Sequence, residues 1–102
     1  MNFKTLEQKV VKNAFDYGKR HNIEFTQDFA AIKLFEEVGE FAQALLIHQK
    51  KCRESKFVPT DVSLKELGKE IADIIGMAIV NAHLLGINLE EAIDKKWIHK
   101  EK

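Results

Sequence analysis

Between Ile71 and Leu85 the chain has only three polar side chains, Asp73, Asn81 and His83. A carboxylate in so apolar a stretch is costly to bury unless a cation meets it. Asp73 also closes a pair, Glu70-Ile-Ala-Asp73. A second acidic stretch, Lys33-Leu-Phe-Glu36-Glu37-Val-Gly-Glu40, lies earlier in the chain. Acids three positions apart project from roughly one face of a helix. Two such helices laid together would gather four carboxylates around one point.

Composition supports a helical reading. There are one proline and five glycines in 102 residues, and few alternating β-branched positions. The length suits one domain, residues 1–102. Sixteen basic residues balance sixteen acidic ones, which argues against binding nucleic acid through an overall positive field. The single cysteine, Cys52, forms no internal disulfide, and no secretory signal pattern follows Met1. The Ile71–Leu85 run is too short for a membrane span. A cytoplasmic protein without membrane attachment is expected.

Four helices are predicted. Leu6, Val10, Ala14 and Tyr17 place an amphipathic helix over Phe3–Lys19, ended near Gly18 and the His21-Asn22 pair. Asp28 or Thr26 can cap a second helix running to Lys50. Its core stripe is expected to be Phe35, Val38, Phe41, Ala42 and Leu45, with Lys33, Glu36, Glu40 and Gln43 opposite and Glu37 at the margin. Phe29, Ala44 and Ile47 fall among the acids. A helix apolar nearly all round is buried on more than one side. Residues 50–62 form a loop rich in positive charge (Lys50, Lys51, Arg53, Lys56), either a solvated connection or a flap for a polyanion. Ser63 with Glu66 reads as a capping box opening a third helix, stopped at Gly86. Asn88 with Glu91 opens a fourth that continues through Trp97 to the C-terminus. Short connections suggest an antiparallel four-helix bundle.

An acidic pair alone is usually a solvated face, because acids are seldom buried unpaired. Two pairs, one of them in an apolar helix, favour a metal site instead, since clustered acids repel one another unless a divalent ion neutralises them. Oxygen ligands without paired histidines or cysteines point to Mg²⁺, with Mn²⁺ as the substitute. Such an ion recruits phosphate and acidifies a bound water. Glu36 or Glu37 could polarise that water, and Lys33, one turn earlier, could meet a phosphate oxygen. A di-iron bundle would need Glu-x-x-His pairs, which are absent. His83 reads as a packed helix residue and His48 as an exposed one.

Glu37-Val-Gly-Glu40 followed by Glu70-Ile-Ala-Asp73 resembles the E-x-x-E…E-x-x-D signature of the MazG-like all-α nucleoside triphosphate pyrophosphohydrolases. The likeness takes in Lys33 and Leu84-Leu-Gly86-Ile-Asn-Leu-Glu-Glu-Ala-Ile93, and spans about residues 28 to 100. It implies Mg²⁺-dependent hydrolysis of a nucleoside or deoxynucleoside triphosphate to the monophosphate and pyrophosphate. It also implies metal ligation by Glu37, Glu40, Glu70 and Asp73, and substrate contacts from Asn81 and Lys96 as well as Lys33. Assembly as a homodimer or homotetramer follows from the same resemblance.

Two other readings compete. Phosphoribosyl-ATP pyrophosphohydrolase of histidine synthesis has a similar opening motif, but the 29 residues between Glu40 and Glu70 favour the MazG-like branch. A non-catalytic helical interaction module is the second, and the complete acidic set argues against it. Base recognition is not encoded in one stretch; Phe3, Phe15, Phe25, Phe29 and Trp97 are candidates, each of which could equally be core.

Overall fold

The computed structural model describes residues 1–101 and is all-helical over them. Helix α1 spans Phe3–Arg20, α2 Gln27–His48, α3 Thr60–Leu84 and α4 Leu89–Ile93. A 3₁₀ turn, Glu54–Lys56, interrupts the α2–α3 loop, and α4 runs on into one wider π-type turn, Asp94–Ile98. No single helix is long and apolar enough to cross a membrane.

Side-chain caps set the helix starts. Asn2 accepts from the Thr5 amide at 2.9 Å, Thr26 from Phe29 at 3.1 Å, and Asn88 from Glu91 at 3.1 Å. Thr26, not Asp28, therefore caps α2. The three long helices end alike, on a residue in the left-handed region: Asn22 (φ 55°), Lys50 (φ 57°) and Gly86 (φ 69°). In each case the next amide reaches back to a carbonyl five residues earlier: Ile23 to Gly18, Lys51 to Leu46, and Ile87 to Ala82. Asparagine and glycine suit that conformation. Lys50 does not, and its ammonium lies 5.2 Å from the centre of the Phe57 ring.

The start of α3 departs from expectation. The helix begins at Thr60, directly after Pro59, whose carbonyl accepts from Val62 and Ser63 at 3.0 Å each. Ser63 is thus inside the helix rather than its cap, and it is 3% exposed. Its hydroxyl donates to the Thr60 carbonyl at 3.0 Å and lies 2.7 Å from His48 Nδ1. With the hydroxyl hydrogen committed, Nδ1–H is the donor of that contact. His48 is half-buried and paired, not a free surface histidine. Glu66 pairs with Lys69 at 3.2 Å instead of reaching back to a cap.

Helices α2 and α3 run antiparallel along each other, tied at both ends. The Gln27 amide donates to the Leu84 carbonyl at 3.2 Å and Asn81 to the Ala30 carbonyl at 2.9 Å, while His48 and Ser63 close the far end. Helix α1 has α3 as its main partner. Phe15, Phe25 and Phe29 link α1, the connector and α2 through ring contacts at 5.7 and 5.0 Å, and Phe15 meets the exposed His83 edge-on at 5.9 Å. Gly18 is buried where the connector folds back. A Cβ there would stand 2.6 Å from the Ile23 carbonyl oxygen and 3.0 Å from the Phe25 ring. Gly18→Ala is expected to destabilise the fold by about 1–3 kcal/mol, read as a lowered urea midpoint with an unchanged slope.

The single chain is loosely built. Its radius of gyration is 16.1 Å, against about 13 Å for a compact chain of this length. Ala30, Leu67, Ile79, Val80 and Ala82 form the buried apolar core. The stripe expected to be the core of α2 is split: Phe35 is 78% exposed, and Val38 and Ala42 are also exposed, while Phe41 and Leu45 are half-buried. Ala30 and Glu37 are the buried residues of α2, with Lys33, Leu34, Phe41, Ala44 and Leu45 half-buried around them. Periodicity marked two apolar sides on α2, and the side it favoured as core is only partly covered, because the position of α3 decides which side is enclosed. Helix α4 is short and its main contact is with the turn that follows it, leaving Trp97 75% exposed.

A candidate metal centre

The ties at either end of the α2–α3 pair set its register, and that register brings the two acidic motifs face to face. One carboxylate oxygen from each of Glu37, Glu40, Glu70 and Asp73 lies within 4.8 Å of all the others. Oxygens on opposite sides of a magnesium ion stand about 4.2 Å apart. Small side-chain adjustments would therefore bring the set to bonding distance.

Glu37 is the buried member, at 9% exposure, and its Oε2 has no hydrogen-bond partner. Glu70 Oε2 is likewise buried without a partner. Burial, then the adjacent Glu40 carboxyl, pushes the Glu37 pKa up to about 7. Burial and the neighbouring Glu40 and Asp73 raise that of Glu70. Unpartnered oxygens on mutually repelling acids fit a hard cation, which would satisfy both deficits at once. Asp73 is not the buried acid the sequence suggests; it is exposed. Its apolar neighbours Ile71 and Ile75 are themselves exposed, so they do not enclose it.

Two cavities flank the cluster. The larger, 510 Å³, opens between α1 and the α2–α3 pair and is walled by Asn13, Tyr17, Phe25, Lys33, Glu37 and Asp73, among others. The smaller, 370 Å³, lies under the α2–α3 loop and includes Glu40, Gln43, Lys56, Ser63 and Glu70. A third hollow of 550 Å³ between Phe3 and α4 contains none of the four acids.

The remaining candidate residues are dispersed. Lys33 borders the larger cavity and its ammonium bonds to the exposed Glu36 carboxylate, which raises the lysine's pKa. Glu36 stands outside the group of four. Asn81 spends its amide hydrogens on the Ala30 and Met77 carbonyls at 2.9 and 2.7 Å, tying α2 to α3 from within. Lys96 sits in the C-terminal turn and borders neither cavity beside the acids. Of the aromatic candidates only Phe25 lines the larger cavity; Phe15 and Phe29 pack around it, and Phe3 and Trp97 lie elsewhere. Asn13 was not singled out from sequence and Tyr17 only as part of the α1 apolar stripe, because a side chain on or beside such a stripe looks like core or solvent until its neighbour is placed.

No protein-family model, curated protein or solved structure matches the chain significantly. Fold and site together describe an all-helical protein with a four-carboxylate candidate cation centre at the middle of an antiparallel helix pair.

Proposed function

We propose that the protein is a Mg²⁺- or Mn²⁺-dependent nucleotide pyrophosphohydrolase of the MazG-like type, working as a homodimer or homotetramer. The observation that carries this reading is the convergence of Glu37, Glu40, Glu70 and Asp73, with the buried Glu37 oxygen lacking any partner. Those four residues would hold the metal, which when bound offsets phosphate charge and acidifies a water.

The chain's own residues divide the rest of the work. The 510 Å³ cavity has the size and the mixed apolar and polar lining of a small-molecule site. Tyr17 and Phe25 offer flat surfaces to a base, and Asn13 offers a hydrogen-bonding amide. Lys33 meets a phosphate oxygen from the same wall. Water adds to phosphorus, the bridging P–O bond breaks, and the monophosphate and diphosphate leave. The proton released by the water goes to a carboxylate. The candidates for it are Glu37, the enclosed member of the four, and Glu36, which would act from beside Lys33.

Assembly is supported by the apolar surface. Ile32, Phe35, Val38 and Leu46 on α2, and Leu64, Ile71 and Ile75 on α3, are exposed in the single chain. Spacings of seven and four from Leu64 to Ile71 and Ile75 make a seam of the kind that packs another helix. Gly39 and Gly68 have nothing within 4 Å of a Cβ position, leaving room for close approach.

The direct test is pyrophosphate release from a panel of nucleoside triphosphates in Mg²⁺. Asp73→Asn is expected to lower turnover by about a hundredfold or more, with little change in melting temperature because Asp73 is exposed. An Asp73→Asn enzyme as active as the wild type removes the proposed site. Cleavage of phosphoribosyl-ATP alone would favour the histidine-pathway activity. Absence of both turnover and divalent-ion binding would leave a helical interaction module.

A further inference from the structure

We infer that the 370 Å³ cavity beneath the α2–α3 loop is a separate subsite for the inorganic diphosphate product, with Lys56 as its recognition residue. The inference rests on the hydrolase reading and extends it by giving the two cavities different occupants. The acid cluster is their common wall: Glu37 and Asp73 face the larger cavity, Glu40 and Glu70 the smaller. Phosphates held at a cation bound by these four acids would have a chamber on either side for the two fragments.

Lining chemistry assigns the fragments. The larger cavity has the aromatic rings and the longer apolar wall, which suit a nucleoside. The smaller has no aromatic ring, and its hydrogen-bond donors free to face a ligand are the Lys56 ammonium and the Gln43 amide. Ser63 is already committed to Thr60 and His48. Among the described residues, no carboxylate lies within ion-pair distance of Lys56, although Glu40, Glu66 and Glu70 line the same cavity. Glu66 is paired with Lys69. An unpaired cation lining a cavity beside the acids is available to an anionic ligand that enters it.

The backbone at Lys56 is fixed by the turn. Lys56 closes the 3₁₀ turn Glu54–Lys56, with its amide on the Arg53 carbonyl at 2.9 Å and the Phe57 amide on Glu54 at 3.0 Å. The Phe57 ring beyond it lies under Lys50, and Val58 and Val62 continue into the cavity wall. Lys51, in the same loop, is exposed and lines neither cavity. Of the loop's four cations, Lys56 alone is among the residues lining the smaller cavity.

The test is calorimetric titration of pyrophosphate into the Mg²⁺-loaded protein. Lys56→Ala is expected to weaken binding by about tenfold or more, the worth of one charge-assisted hydrogen bond. Lys56→Arg should retain most of the affinity, and Lys51→Ala all of it. Far-ultraviolet circular dichroism checks that each variant is folded, which the exposed position of Lys56 favours. Wild-type affinity in Lys56→Ala overturns the inference, and so does an equal loss in Lys51→Ala, which would mean a diffuse field effect. Lys56-dependent binding without cleavage of any nucleotide would uphold the subsite and defeat the hydrolase reading. Cleavage of nucleotides with Lys56-independent pyrophosphate binding would do the reverse.

Discussion

Without divalent cations, Glu37→Gln should melt several degrees above the wild type at pH 8 and lose its response to Mg²⁺. The folded-state pKa of Glu37 is raised from 4.5 to about 7, so the folded protein holds this proton more tightly than the unfolded chain does. Stability from this group is intact below about pH 4.5 and falls as pH rises, until the carboxylate is fully charged above pH 7. The shift corresponds to roughly 3 kcal/mol, which in a domain of this size is on the order of 10 °C. An amide of the same shape carries no charge, so the variant should lack that part of the decline between pH 5 and 8. Saturating Mg²⁺ should invert the order, because the cation stabilises the charged wild-type site and has lost a ligand in the variant. Calorimetric melting of both proteins, with and without Mg²⁺ across that pH range, checks all three statements. A wild type that melts identically with and without the ion, at every pH, is incompatible with a metal centre here.

The second large effect concerns assembly. Wild-type protein should sediment as a dimer or larger at micromolar concentration. Joint replacement of Phe35 and Ile71 by glutamate should reduce it to monomer and lower its melting temperature. Each large apolar side chain buried contributes about 1.5–3 kcal/mol. Two such positions on each of two copies thus amount to about 6 kcal/mol or more, comparable with the whole stability of a small domain. These side chains are exposed in the single chain, at 78% and 45%, so the substitution removes little within one copy. A monomeric wild type, stable with both side chains in water, would defeat the assembly proposal.

Helix positions were legible from local chemistry. Asn88 caps α4 and Gly86 stops α3 because both act within one turn of the chain, where sequence distance is spatial distance. The start of α3 was readable too, but from Pro59 rather than from Ser63, whose hydroxyl is engaged across the helix pair by His48. The acidic cluster was legible as two pairs, since spacing along a helix sets which side chains share a face.

Which acid is buried was not legible. Asp73 has the more apolar sequence neighbours, yet Glu37 is enclosed, because enclosure depends on the helix opposite and not on the residues alongside. The same reason turned Phe35, Val38 and Ala42 of the expected α2 core outward. Periodicity marks both apolar sides of the helix, and only the packing of α3 against Ala30 and Glu37 decides which is enclosed. Asn81 shows the limit for polar residues, since a side chain that could face a ligand ties two helices together instead.

The amino-acid sequence by itself determined the helical class, most helix ends and the four acids, since each depends on interactions within a few residues. Tertiary structure alone decided that those acids meet, that Glu37 carries the burial, that a cavity lies on either side, and that Lys56 reaches one of them. These follow from the register of α2 on α3, which is set by contacts between residues 15 to 57 positions apart in the chain, such as His48 with Ser63 and Gln27 with Leu84.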